Sequence, residues 1–316
     1  MTTLNYAEAA CQALADAMQA DARVIALGED VGRGGIFSQY KGLQQRFGPA
    51  RVIDTPISES TIMGVAVGMA LAGLRPVVEM RVVDFGLCAT DEIINQAAKA
   101  RYMFGGQGRV PLVARMPIGI WSASAAQHSQ SFEAWFAHVP GLIVIAPGTP
   151  GDNYALLRAA IAAGDPVVYM EHKELWGETA EVETTARVPI GQARVVRAGS
   201  DVTLVTWSRG VKLALEAAAI AAARGQSVEV IDLRTIWPWD RATVISSAAR
   251  TRRLLVVHEA IQVAGFGAEI AATVAEELGI PVKRLGGKRI PVGYAQVLEN
   301  EARLSAAAIA EKLASF

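Results

Sequence analysis

The sequence has little of several residue types on which whole classes of function depend. Its 316 residues include 2 cysteines and 4 histidines. Cys11 and Cys88 show no spacing typical of a disulfide framework, and the histidines show no spacing typical of a zinc site. The formal net charge of −1 leaves no basic excess for nucleic acid or for an anionic membrane surface. We therefore predict neither a nucleic-acid partner nor a membrane partner.

Long apolar runs are also absent from the sequence. No stretch approaches the roughly 20 consecutive apolar residues that a membrane-spanning helix needs. Residues 1–20 lack the basic start and the continuous apolar run of a secretory signal, so we expect a cytoplasmic protein. Because 52% of the residues are hydrophobic and only 19% are charged, the chain can bury a large core. The same excess predicts a surface that other subunits cover in part.

The sequence lacks three common nucleotide-binding or catalytic motifs. The stretch Gly286–Lys288 is followed by Arg289, so the Ser or Thr of a phosphate-binding loop is missing. The stretch Gly265–Gly267 lies about eight residues beyond its predicted strand, too far for the tight turn of a dinucleotide fingerprint. No Gly-x-Ser-x-Gly elbow occurs, which excludes the usual α/β-hydrolase signature.

Short apolar runs alternate with helical patterns along the first part of the chain. The runs that predict strands are Val24–Leu27, Val52–Asp54, Pro76–Met80, Pro111–Arg115, Leu142–Ile145 and Pro166–Met170. Continuous apolar strands between helices indicate an α/β domain whose mainly parallel sheet is covered by helices. A second α/β unit follows, with strands at Val202–Thr206, Val228–Ile231 and Leu254–Val257. We predict domains at 1–180 and 200–316, joined by a linker at 181–199 that lacks hydrophobic periodicity.

Two glycines stand four residues apart in the helix that Ser58 or Ser60 is predicted to cap. Gly64 and Gly68 lower the stability of a helix, so a close approach by another backbone is expected there. That backbone could belong to the core of the same domain or to another subunit, and the sequence favours neither.

Glu59 and His128 are the strongest candidates for proton-transfer chemistry. Glu59 follows a short strand at the start of this helix, and His128 lies in the polar stretch Ala126–Gln130. Each has an ordinary alternative role. Glu59 could simply stabilise a helix N-terminus through the dipole, and His128 could be a hydrogen-bonded loop residue. Asp54 could likewise form an Asx turn before Pro56.

The chain resembles the β subunit of the E1 component of the thiamine-diphosphate-dependent 2-oxo acid dehydrogenases. The matching motifs cover nearly the whole sequence: Leu27–Val31, Asp54–Glu59, Asn95–Lys99, Tyr102–Gly106, Ala126–Gln130, Pro140–Leu142, Asp165–Val168 and Asp232–Thr235. The resemblance implies an N-terminal pyrimidine-binding domain and a C-terminal transketolase-like domain.

It also implies a cofactor site shared between two chains. In this family an α subunit holds Mg²⁺ and the diphosphate, and the β subunit holds the aminopyrimidine ring of thiamine diphosphate. The Gly-Asp-Gly plus Asn pattern of the metal-binding half is missing from this sequence. The implied partners are an E1 α subunit, in an α2β2 heterotetramer, and an E2 acyltransferase that docks through its peripheral subunit-binding domain and its lipoyl domain.

The family's residue roles transfer to four matching positions. Glu59 would hydrogen-bond the ring nitrogen N1′, Phe85 would pack against the aminopyrimidine ring, and Ile57 would line the same pocket. His128 would assist transfer of the acyl group to the lipoyl arm. Thiamine diphosphate supplies the carbanion chemistry itself.

Some family members bind a structural K⁺ through backbone carbonyls. The corresponding residues here are Leu112, Ala160, Ile161, Ala163 and Asp165. Backbone ligation leaves almost no pattern in a sequence, so this ion follows from the resemblance alone. The sequence does not indicate what Cys88, near the expected ring pocket, and Trp121, before the histidine loop, contribute.

Pyruvate is the first substrate that the resemblance implies, ahead of branched-chain 2-oxo acids and acetoin. One alternative is an assembly subunit that kept the fold and lost the chemistry, against which Glu59, Phe85 and His128 argue. Another is a transketolase-like or deoxyxylulose-phosphate-synthase-like enzyme. Those enzymes usually carry both halves of the cofactor site in one longer chain.

Overall fold

The computed structural model describes all residues, 1–316, and divides into two compact units. Unit 1 contains residues 1–118 and 135–190, and unit 2 contains residues 119–134 and 191–316. None of the helices combines the length and the apolar character that crossing a membrane requires.

Residues 1–190 form a succession of short strands and helices. In chain order these are β1 (Thr2–Asn5), α1 (Tyr6–Ala20), β2 (Val24–Gly28), α2 (Leu43–Phe47), β3 (Val52–Asp54), α3 (Glu59–Leu71), β4 (Arg75–Glu79), α4 (Val83–Gly86), α5 (Ala98–Met103), β5 (Val113–Arg115), α6 (Glu133–Ala137), β6 (Ile143–Ile145), α7 (Pro150–Ala162), β7 (Val167–Tyr169) and β8 (Thr179–Val182). Short 3₁₀ turns lie at Val31–Arg33, Leu87–Ala89, Ala126–His128 and Lys173–Leu175, and a π-helical turn, Glu92–Ala97, runs directly into α5.

The main sheet of unit 1 is parallel. Its strands follow the order β6-β7-β5-β4-β2-β3, and all neighbouring strands in this order pair in parallel. All residues of β2, β5 and β7 are buried, as continuous apolar runs predict for a sheet with helices on its faces. The predicted α/β architecture is confirmed. The β1 and β8 strands form a separate antiparallel pair.

Helices α1 and α7 pack against each other beside this sheet. Local sequence signals determine where each of them begins. Asn5 and Glu8 form a reciprocal capping box at the start of α1. Thr149 caps α7 by accepting from the backbone N–H of Asp152, and Pro150 occupies the first turn. Apolar side chains of both helices enter one core with β2, β5 and β7.

Helix α3 differs from the predicted helix in its cap. Ser58 stands at the N-cap, but its hydroxyl donates to the side chain of Thr61 and to no backbone group of the cap. Gly64 and Gly68 are both solvent-exposed. A Cβ added at Gly68 would meet no atom of the chain within 4 Å, and one at Gly64 would meet only the Glu92 side chain at 3.7 Å. Close packing inside unit 1 therefore does not explain the glycine at 68.

Unit 2 contains β9 (Arg194–Arg197), β10 (Val202–Thr206), α8 (Gly210–Ala223), β11 (Val228–Asp232), β12 (Thr235–Trp237), α9 (Arg241–Thr251), β13 (Leu254–Ile261), α10 (Gly267–Leu278), β14 (Val282–Gly287), α11 (Gln296–Ala302) and α12 (Ala306–Ala314). Its sheet has the order β14-β13-β10-β11-β9, and only β9 runs antiparallel to its neighbour. Helices α8 and α12 pack together over its core.

The segment 181–199, for which we predict a linker, contains the end of β8 and the whole of β9. The bounds of the two domains stay a prediction.

Candidate functional site

The carboxyl ends of three neighbouring strands in unit 1 converge on a group of acidic residues. The last residue of β2, Gly28, is paired in register with Asp54 of β3 and with Glu79 of β4. A Cβ at Gly28 would lie 2.6 Å from the carbonyl oxygen of Glu79, so only glycine permits this approach. Ligands of parallel α/β sheets commonly bind at this edge. Asp54 accepts from the backbone N–H of Gly32 at 2.7 Å and so fixes the loop after β2.

Glu59 begins α3 just beyond this edge. Its side chain is half-buried, and it lies in the first helical turn, where the helix dipole favours a negative charge. The next residue, Ser60, donates to the Glu92 carboxylate at 2.6 Å and thereby holds the start of α3 against the π-helical turn. Ile57 is 78% exposed, two residues before Glu59. A carboxylate is thus presented beside an open apolar surface.

Phe85 lies in the short helix α4 and is half-buried. The turn that follows it, Leu87–Ala89, packs against α3. Gly86 leaves room for a different neighbour, because a Cβ there would lie 3.1 Å from the Met116 sulfur. Cys88 is a free, exposed thiol in the same turn. Glu59 begins α3, and Phe85 lies in the short helix that runs directly into the turn packed against α3. The adjacent π-helical turn is a feature found often at functional sites.

Glu29 is another carboxylate at this edge, to which our sequence analysis assigned no role. It follows β2 directly and is buried. Burial raises the pKa of its carboxyl; the Arg81 guanidinium lowers it, and the charges of Glu59 and Asp30 raise it further. Arg81 also donates to Asp30 at 2.5 Å. The negative charge of Glu59 is therefore one of the charges that act on Glu29. The stretch Gly28-Glu29-Asp30 at a strand end was the available signal.

Glu79 is a second ionisable group at this edge. It is only 2% exposed, accepts from the backbone N–H of Arg81 at 3.1 Å, and lies near the buried Arg115 and Tyr40. Burial raises its pKa to about 7, although the positive charge of Arg115 acts in the opposite direction.

We expect Glu79→Gln to stabilise the protein at high pH. Because the pKa of Glu79 rises from its ordinary 4.5 to about 7 on folding, its contribution to stability is complete below pH 4.5 and is lost as the pH rises through 7. Glutamine keeps the acceptor and never ionises. The difference in free energy of unfolding between the variant and the native chain should shift in favour of the variant by about 2 kcal/mol between pH 5 and pH 8. Urea denaturation of both proteins at pH 5 and pH 8 measures this difference. If the free energy of unfolding changed by the same amount in both proteins, the prediction would be wrong.

His128 belongs to unit 2, in the segment 119–134. It closes a 3₁₀ turn, Ala126–His128, and its side chain is exposed. The backbone N–H of Gly119 donates to the carbonyl of Gln130 at 3.0 Å, which closes residues 119–130 into a loop. Trp121 lies in this loop with 36% of its surface exposed. The loop thus presents an imidazole to solvent.

No group of three or more His, Cys, Asp or Glu side chains in the chain could hold a metal ion. The five predicted potassium ligands are a separate matter, because they would act through backbone oxygens. Arg75 donates to the carbonyls of Ile161 and Ala163, at 2.8 and 3.1 Å. The carbonyls of Leu112 and Ala160 accept from backbone N–H groups. The Asp165 carboxylate pairs with Arg101 at 2.7 Å.

Two family models match the chain in succession. Residues 2–178 match the transketolase pyrimidine binding domain, and residues 191–309 match the transketolase C-terminal domain. A chain of a split-gene transketolase, described as an inactive β4 tetramer, has the same fold. It superimposes with a TM-score of 0.82 over 99% of this chain and 97% of that one, at 22% sequence identity.

Curated relatives carry more specific names. The pyruvate dehydrogenase E1 component subunit beta-2, mitochondrial, of Oryza sativa subsp. japonica is 46% identical over 95% of this chain and 82% of its own length. The pyruvate dehydrogenase E1 component subunit beta of Rickettsia felis is 46% identical over 91% of each chain. The chain belongs to the E1 β-subunit family of the 2-oxo acid dehydrogenases. It is a thiamine-diphosphate-dependent enzyme subunit of transketolase-like fold.

Three residues of this E1 β chain could hold one end of thiamine diphosphate. Glu59 offers a carboxyl group at a helix N-terminus, Ile57 offers exposed apolar surface two residues before it, and Phe85 offers a half-buried ring in the same unit. A carboxyl group that can hydrogen-bond a ring nitrogen and apolar side chains that can pack on a ring would suit the aminopyrimidine end of the cofactor.

Proposed function

We propose that the chain is the β subunit of a pyruvate dehydrogenase E1 component. With an α subunit it would decarboxylate pyruvate on thiamine diphosphate and pass the acetyl group to the lipoyl arm of an E2 acyltransferase. The observation that carries the choice of pyruvate is the 46% identity to pyruvate dehydrogenase β subunits over nearly the whole chain.

Glu59 is assigned the proton-sharing role. A carboxyl at the start of α3 can hold a proton against the ring nitrogen N1′ of thiamine diphosphate, with Phe85 and Ile57 packing beside the ring. The cofactor, once bound, supplies an electron sink for the decarboxylation. Glu29, whose pKa the charge of Glu59 raises, is assigned to the same edge of the site.

His128 is assigned the later step, in which the acyl group leaves for the lipoyl arm. An exposed imidazole can donate a proton to a lipoyl sulfur as that sulfur accepts electrons. Because the imidazole is exposed, the lipoyl arm of a second protein can reach it.

The Mg²⁺ and the diphosphate are assigned to an α subunit, because no side-chain cluster of this chain could hold a metal ion. The exposed surface of helix α3 supports the proposal of a protein partner. It exposes Val65 and Leu71, each 46% accessible, beside the unfilled notch at Gly68. We propose this face as part of an α2β2 assembly, and we assign E2 docking to the C-terminal domain. We propose a cytoplasmic location, by analogy with the bacterial relatives; the plant relative is named as mitochondrial.

The potassium ion stays a prediction, and the Arg75 contacts weigh against it. A permanently charged guanidinium already occupies the oxygens of Ile161 and Ala163. A melting temperature that rises in potassium chloride but not in sodium chloride would establish the ion. Equal melting temperatures in the two salts would indicate that Arg75 is the cation bound to these oxygens.

The substrate is tested with the reconstituted pair. The chain is co-expressed with its candidate α chain, supplied with thiamine diphosphate and Mg²⁺, and assayed with pyruvate, branched-chain 2-oxo acids and acetoin. Reduction of an artificial dye reports decarboxylation, and mass spectrometry of a lipoyl domain reports acylation. We expect the highest kcat/KM with pyruvate. A higher value with a branched-chain acid or acetoin would overturn the choice of pyruvate, and no turnover with any would indicate an assembly subunit.

A further inference from the structure

The loop that carries His128 has an unusual backbone. Ser122, Ala123 and Ala125 have φ values of 49°, 54° and 62°, and Gly119 has 91°. Side chains with a Cβ rarely adopt this left-handed region, so three such residues within four positions store strain. A strained segment keeps its shape only when surrounding groups fix it.

Side chains elsewhere in unit 2 fix this loop near both ends. The Glu259 carboxylate on β13 accepts from the backbone N–H of Ile120 at 2.8 Å. Its other oxygen lies 3.4 Å from the Arg209 guanidinium. At the far end the indole N–H of Trp207 donates to the Glu133 carboxylate at 3.0 Å. Trp207 and Glu133 are each only 2% exposed.

A buried carboxylate also lies near the middle of the loop. Glu299 on α11 is fully buried and pairs with Arg303 at 2.7 Å. Burial by itself raises the pKa of Glu299, but the Arg303 guanidinium, Gln296 and the nearby backbone N–H of Ala123 lower it below its ordinary value. Side chains from three separate parts of unit 2 therefore lie against residues 119–133.

We infer that Glu259, held by Arg209, is a positioning residue that keeps the His128 loop in its strained shape for acyl transfer to the lipoyl arm. This inference rests on the proposed role of His128. Glu259 touches the backbone eight positions before the histidine and acts only through it. Loss of the Ile120 contact would let the strained residues relax toward ordinary backbone angles and displace the imidazole.

The test compares two substitutions in the reconstituted α/β enzyme. Glu259→Gln keeps an oxygen acceptor for Ile120, whereas Glu259→Leu has a similar size and no acceptor. We expect Glu259→Leu to lower the ratio of lipoyl acylation to dye-coupled decarboxylation by roughly 10- to 100-fold, because small displacements of a catalytic group have effects of that order. Glu259→Gln should restore the ratio to within about threefold of the native value.

Glu229→Ala is the matched control. Glu229 is a carboxylate of the same unit, 4% exposed and paired with Arg250 at 2.6 Å, but bonded to no residue of the loop. Its loss should affect stability and leave the ratio of the two rates at the native value. An equal change of the ratio in Glu229→Ala and Glu259→Leu would reduce Glu259 to a structural role and overturn the inference.

The variants of His128 separate this inference from the function on which it rests. His128→Asn should lower the same ratio, and adding Glu259→Leu to it should cause little further loss, because both changes act on one group. If His128→Asn leaves the ratio unchanged, the proposed role of His128 fails. If His128→Asn lowers it and Glu259→Leu does not, the role of His128 stands and the positioning role of Glu259 is wrong.

Discussion

The Glu59→Gln enzyme is expected to lose about 10³-fold in kcat while it still assembles with the α subunit. Glutamine has the same shape at the start of α3 but cannot share a proton with the cofactor ring, and losses of this size are typical of a missing acid–base group. The substitution removes one charge from a half-buried position, so the fold should persist. Steady-state turnover with pyruvate and the elution volume of the complex measure the two effects.

Glu92→Gln is the control for this experiment. It removes the same charge from a carboxylate that bonds Ser60, the residue beside Glu59. Its turnover should stay within about threefold of the native rate, because no proton-transfer role falls to Glu92. Native turnover by Glu59→Gln would remove Glu59 from the mechanism.

The second large effect is expected in the stability of unit 1. Arg115 and Glu171 are both fully buried and form a two-point salt bridge, with distances of 2.8 and 2.9 Å. Asn153 donates to the same carboxylate at 3.0 Å. Removing one member of such a pair leaves the other charge buried, so Glu171→Leu should destabilise the chain by about 3–5 kcal/mol. The melting temperature should fall by roughly 10 °C.

A double substitution distinguishes an uncompensated charge from lost packing. Arg115→Met combined with Glu171→Leu removes both charges, and apolar replacements of a buried pair are often tolerated. The double variant should therefore be more stable than Glu171→Leu alone. A double variant whose loss equals the sum of the two single losses would show that the two charges are not coupled.

Much of the parallel sheet could be predicted because apolar runs mark buried strands. The runs at Val24–Leu27 and Val202–Thr206 correspond to β2 and β10 within a residue. Strand β14 was missed because its sequence, Val-Lys-Arg-Leu-Gly-Gly, has no apolar run. Helix α9 was missed because Ser, Thr and Arg dominate its sequence. Both are positioned by the rest of unit 2 and carry little local signal.

The candidate site was predictable only where a motif carried it. Glu59, Ile57 and His128 were named from stretches that the family shares, and Phe85 was named from the resemblance although it lies outside those stretches. Glu259 could not be found in that way, since it acts on the backbone of Ile120, 139 residues away in sequence. The positive φ angles of the His128 loop were equally hidden, because Ser and Ala carry no signal for that conformation.

The most direct test of the central claim is a calorimetric titration with thiamine diphosphate and Mg²⁺. The purified chain is titrated alone and then in complex with its α partner. We predict no measurable binding by the chain alone and stoichiometric binding by the complex, because the proposed roles of Glu59, Ile57 and Phe85 cover only the ring half of the site. Tight binding by the chain alone would contradict the shared site and would indicate a self-sufficient thiamine enzyme.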